Sequence, residues 1–166
     1  MNTTFDAWRA ELLFTGNIVQ DGDESVPWPE REQRFDRYVE LLDAITGAEG
    51  IETFVAIVDS LQAEQDYGAY QRTYNILWRF PPHLVAQGLI AALPSLIQRQ
   101  RDCAGNIFAQ LGNATPGNGD DVLLAFRQAL ALASPQPRAA IMDFVTHEEE
   151  DGWLDGRRKG VIRPTQ

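Results

Sequence analysis

Apolar residues recur at three- and four-residue steps along most of the chain, and glycine or proline interrupts them at the corners. Residues 4 to 14 place Phe5, Trp8, Leu12 and Leu13 on one side of a short helix, with Thr3 or Thr4 as its cap and Gly16 and Asn17 at its end. From Pro29, a first-turn proline, Phe35, Tyr38, Leu41, Leu42 and Ile45 share one helical face until Gly47 stops it. A further helix from about Glu49 to Gln65 carries Ile51, Phe54, Val55, Val58 and Leu61, and the short GAEG link predicts that these two form an antiparallel hairpin. Beyond Pro81 and Pro82 the apolar positions Leu84, Val85, Leu89, Ala92 and Leu93 predict a helix that Pro94 kinks or restarts. Ala104, Ile107, Phe108 and Leu111 follow. After the ATPGNG turn at 114–119 come Leu123, Phe126, Leu130 and Ala133, and then, behind Ser134-Pro135, Ile141, Met142, Phe144 and Val145.

The stretch Asp66 to Pro81, DYGAYQRTYNILWRFP, holds the densest set of large side chains. On a helix, Tyr67, Tyr70, Tyr74 and Trp78 stack along one arc, Ile76, Leu77 and Phe80 fill the next, and Gln71, Arg72, Asn75 and Arg79 leave a narrow polar stripe. The aliphatic arc is core in any arrangement. The tyrosine arc has two readings: covered by the 29–65 hairpin it is structural, whereas open on a concave face Tyr67, Tyr70 and Tyr74 meet a partner.

No useful length of period-two alternation occurs, so the predicted class is all-α. Short helices in successive antiparallel pairs predict antiparallel helical hairpins stacked in a HEAT-like, right-handed array, with a single α-helical domain over 1–155 and a frayed basic tail over 156–166. An apolar fraction of 44% agrees with a folded chain. Formal net charge is −10, from 24 acidic and 14 basic residues, a sign that repels nucleic acid and anionic membranes and attracts basic partners. The bland reading is that this charge only maintains solubility. One cysteine, Cys103, rules out an internal disulfide, no signal-peptide pattern opens the chain, and no run approaches the roughly 18 to 20 apolar residues of a membrane span. The expected compartment is the cytoplasm.

Candidate chemistry is sparse. His83 and His147 are far apart with no metal-ligand spacing, Cys103 has no nucleophile signature, and none of Ser25, Ser60, Ser95 and Ser134 sits in a GxSxG elbow. Phosphate-binding glycine loops are absent, so no enzyme, cofactor or metal is expected. The loop over 15–29 contains Asp21, Asp23 and Glu24 ahead of Trp28. Its Asp21-to-Glu32 spacing imitates a calcium loop, but Val26 stands where the turn needs glycine, and the loop reads better as acidic charge plus an exposed aromatic for partner binding. Near the C-terminus, Asp143, Glu148, Glu149, Glu150, Asp151 and Asp155 put six carboxylates in thirteen residues beside Trp153. That run can engage a partner's lysines and arginines with Trp153 as anchor, or it is a solvated helix end that Arg157, Arg158 and Lys159 neutralise from within.

The segment YQRTYNILWRFPP leads into LPSLIQRQRDCAGNIFAQLGN, Leu93 to Asn113, which is similar to one unit of a HEAT-like repeat. With the acidic composition, the chain over residues 30 to 145 resembles the immunity proteins of bacterial polymorphic toxin systems. That resemblance implies a cognate protein toxin domain as partner, often a basic nuclease, neutralised when an acidic face occludes its active site. No binding residue is carried over from the family. The competing expectations are a HEAT-like protein-interaction adaptor and, third, a helical enzyme or small-molecule sensor.

Overall fold

The computed structural model describes residues 4–164. They form eight α-helices and one 3-10 turn, with no strand: α1 (Phe5–Gly16), α2 (Trp28–Asp43), α3 (Ile51–Asp59), α4 (Ala69–Leu77), α5 (Pro82–Arg99), α6 (Arg101–Gly112), α7 (Asp120–Leu132), α8 (Pro135–Asp151) and the turn Gly156–Arg158. The protein is all-α. Among the described residues no helix is long and apolar enough to cross a membrane. The chain divides into two compact units, Met1–Phe80 and Pro81–Gln166.

In the first unit α1 packs on α2 and α3, and α4 on the same two helices. The pair joined by the GAEG link, α2 and α3, thus meets mainly through α1 and α4. Tyr38 of α2 lies at the centre, fully buried, with its hydroxyl 2.8 Å from Ser60 Oγ and 2.7 Å from Thr73 Oγ1. Gly16 lets α1 approach closely, since a Cβ there would sit 2.7 Å from the Ser60 carbonyl oxygen.

Two predicted helices are shorter than their apolar patterns. α3 ends at Asp59: Ser60 N and Leu61 N still bond carbonyls of the last turn, and beyond them the Tyr70 hydroxyl accepts from Gln62 N at 2.9 Å and Ala63 N at 2.7 Å, which holds the chain off the helical path. The aromatic stretch becomes helical only at Ala69, because Tyr67 (φ 48°) and Gly68 (φ 89°) both hold left-handed backbone conformations. Thr4 caps α1 by accepting from Ala7 N at 3.4 Å.

In the second unit α5 packs on α6, α7 and α8. It runs through Pro94 to Arg99 without restarting. Phe108 stacks on Phe144 with ring centres 5.1 Å apart and meets Phe126 edge-on at 6.2 Å. α8 continues through the acidic run to Asp151, and Leu154 just beyond it is fully buried. The tail expected to fray over 156–166 does not do so across its described part, 156–164, where Ile162 is fully buried.

Candidate functional site

Two of the exposed aromatics of the first unit, Trp28 and Tyr67, border a groove beside the loop that leads into α2. Asn17 ends α1, and residues 18 to 27 cross to Pro27, the N-terminal boundary of α2. Such a loop has many backbone carbonyls and few partners for them; Arg31, one turn into α2, supplies them. Its Nε donates to the Val26 carbonyl at 2.7 Å, Nη1 to those of Gln20 and Asp21 at 3.3 Å each, and Nη2 to that of Asp23. From the opposite side the Tyr67 hydroxyl accepts from Asp21 N at 3.0 Å, and the Gln20 side chain bonds the Gln65 backbone in both directions, donating at 3.0 Å and accepting at 3.2 Å. The left-handed Tyr67 is what turns that ring toward the loop. Asp23 closes a local turn by accepting from Ser25 N at 3.0 Å and from Ser25 Oγ, and these bonds hold its carboxyl below the usual range.

Between this braced loop and α2 lies a groove of about 350 Å³, with Ile18, Val19 and Phe35 in its lining and Trp28 and Tyr67 at its margins. Trp28 is 69% exposed and Tyr67 46%. Glu32 and Asp36, one turn apart on α2, complete the wall. A wider depression of about 1040 Å³ adjoins it along α1 and α2 and contains Phe14, 56% exposed, with the Arg34 guanidinium 4.4 Å above its ring. Part of the charge here is matched internally, although Glu32 and Asp36 also border this depression. Arg37 donates to both oxygens of Glu11, at 2.7 and 3.0 Å, and to Glu40 at 3.0 Å. The Arg37 bond lowers the Glu11 carboxyl, and Glu11 in turn raises the Arg37 guanidinium. Arg34 also pairs with Glu30.

The residues singled out from the sequence fall into two groups. Asp21, Asp23, Glu24, Trp28 and Tyr67 are exposed; Asp21, Trp28 and Tyr67 line the groove, and Asp23 and Glu24 follow Asp21 in the same loop. Tyr70 and Tyr74 do not join them; at 2% and 6% exposure they are core. Tyr70 cannot turn outward without releasing Gln62 N, Ala63 N and the Gly16 carbonyl, to which it donates at 2.7 Å.

The acidic run of α8 is likewise corrected. Glu148 and Glu149 are each 5% exposed. Glu148 pairs with Arg101 and accepts from Trp153 N at 3.2 Å; Glu149 accepts from Gly160 N at 2.8 Å and from Arg163 at 3.0 and 2.6 Å. Only Glu150 of these three is exposed, and the side chain of Asp151 lies outside the described residues. Trp153 is half-buried against Gly105, where a Cβ would strike its indole. The internal cations are therefore Arg101 and Arg163, while Arg157 and Arg158 bind Asn113 Oδ1 at 3.1 and 2.9 Å.

His83 and His147 are exposed and Cys103 is buried. Among the described residues no group of three or more His, Cys, Asp or Glu side chains is arranged to hold a metal ion. Sequence reasoning missed Phe14, Arg31 and Asp36, and met Glu32 only as the end of a calcium-like spacing. The i, i+4, i+8 spacing of Trp28, Glu32 and Asp36 was the available signal for the groove wall. No family model, curated protein or solved structure matches the chain.

Proposed function

We propose that this chain is a non-catalytic, cytoplasmic immunity protein that binds a cognate toxin domain, a basic nuclease, and occludes its active site with an acidic face. The observation that carries this reading is the pairing of Trp28 and Tyr67, two of the six exposed large apolar side chains among the described residues, with Asp21 of the acidic loop in one groove, next to a depression that holds a third, Phe14. Exposed aromatics ringed by charge are the composition of a protein-binding hot spot, and the net charge of −10 selects a basic partner. The HEAT-like stacking of helix pairs belongs to the same proposal, supported by the all-helical class.

An immunity gene sits directly downstream of its toxin gene, so the test is co-expression with the protein encoded immediately upstream. The expected outcome is restored growth of cells otherwise killed by that protein, together with a stable complex on gel filtration. Absence of a complex between the purified pair overturns the reading.

A further inference from the structure

We propose that the groove between the 18–27 loop and α2 is a subsite for one arginine side chain of a basic protein partner, with the guanidinium against Trp28 and paired with Glu32 and Asp36. The inference rests on reading this face as the toxin-facing surface and names what that surface grips.

Three observations favour this occupant. First, the groove is large enough, at about 350 Å³, and its walls are apolar where an aliphatic stem would lie, on Ile18, Phe35 and Tyr67. Second, Glu32 and Asp36 have no hydrogen-bond or ion-pair partner among the described residues, although two arginines stand nearby. Arg31 is occupied by four loop carbonyls, and Arg34 by Glu30 and the Phe14 ring. A purely apolar ligand would desolvate those two carboxylates without pairing them, which is unfavourable. Third, residues 17 to 36 contain six acids and two arginines, a local net charge of −4, so the field at the mouth draws in a cation.

Arginine suits the site better than lysine. Its planar guanidinium stacks on an indole face and presents donors to two carboxylates at once, whereas an ammonium is a compact, strongly hydrated point charge. Glu32 and Asp36, four residues apart on α2, offer such a pair of acceptors on the same side as Trp28.

The test uses the full chain and a capped Gly-Arg-Gly-Arg-Gly peptide, followed through the indole N–H resonances, with Trp28 assigned by a Trp28→Phe variant. The matched peptide containing citrulline, neutral and isosteric with arginine, is the control. The arginine peptide is expected to shift the Trp28 resonance saturably and the citrulline peptide to leave it in place. The Glu32→Gln/Asp36→Asn variant, altered only at exposed positions, is expected to bind the arginine peptide about fivefold more weakly or worse, as loss of two exposed ion pairs implies. Equal binding of the two peptides, an unchanged affinity in the double variant, or no Trp28 shift up to millimolar peptide overturns the subsite. Protection from the upstream-encoded protein without a peptide shift refutes the arginine subsite and leaves the immunity reading standing. A specific shift without protection does the reverse.

Discussion

Tyr70 joins three parts of the first unit through one oxygen atom. Its hydroxyl accepts from the backbone of Gln62 and Ala63 and donates to the carbonyl of Gly16, while its ring meets Tyr38 edge-on with centres 6.1 Å apart. Deleting the oxygen removes no apolar contact but leaves donors and an acceptor that water reaches poorly. Tyr70→Phe is therefore expected to lower stability by about 1–3 kcal/mol, read from the urea midpoint. Trp28 and Tyr67 lie outside this bonding set, so the same variant should bind the arginine peptide as the parent chain does. A fall in affinity as large as the fall in stability would mean that the groove is shaped by the Tyr70 junction. Helical spacing made Tyr67, Tyr70, Tyr74 and Trp78 visible as one arc but could not divide them. The division depends on Gly68 and the left-handed Tyr67, which detach one tyrosine from the helix that buries Tyr70 and Tyr74.

At the scale of elements, α8 is a case where local physics and tertiary pairing disagree. Carboxylates in a last helical turn oppose the helix dipole, and by that argument the Glu148–Glu150 stretch should fray. It stays helical because Arg101 and Arg163 approach from other parts of the second unit, 47 and 14 residues away in sequence. Long-range partners of this kind leave no trace in a hydrophobic pattern, which is why the helix core at Ile141, Phe144 and Val145 was legible and the fate of the glutamates was not. The pairing also changes what mutations report. Charge reversal at Glu148, Glu149 and Glu150 together would break two internal ion pairs, so only Glu150 remains a clean probe of partner contact. Arg163→Met, which leaves the nearly buried Glu149 with the Gly160 N–H alone, is expected to cost about 2 kcal/mol, between the values for exposed and buried pairs. Adding Glu149→Gln should recover part of that loss, because the uncompensated charge is gone. Additive losses in thermal denaturation would show that Arg163 contributes through packing rather than through its charge.

At the scale of the whole molecule, the charge of −10 and the groove are expected to act on different steps of association. A net field acts over about a Debye length, roughly 30 Å at 0.01 M salt and 3 Å at 1 M, so it governs encounter and is removed by salt. The indole of Trp28 is effective only on contact, so it governs how long the complex lasts. Asp21, Asp23 and Glu24 belong to the first category: they are exposed, and no cation pairs with Asp21 or Glu24 among the described residues. Their combined replacement by Asn, Asn and Gln is thus expected to slow association with a basic partner by about tenfold at low salt and to flatten its salt dependence, with dissociation almost unchanged. Asp23→Asn also weakens the Ser25 turn, so Asp21→Asn/Glu24→Gln alone should show the same sign with a smaller amplitude. Trp28→Ala is expected to do the opposite, raising the dissociation rate with little effect on association. Stopped-flow measurements across the salt range separate the two. An association rate indifferent to salt in the parent chain would mean that the acidic loop does not steer the encounter, whatever the groove holds once the partner has arrived.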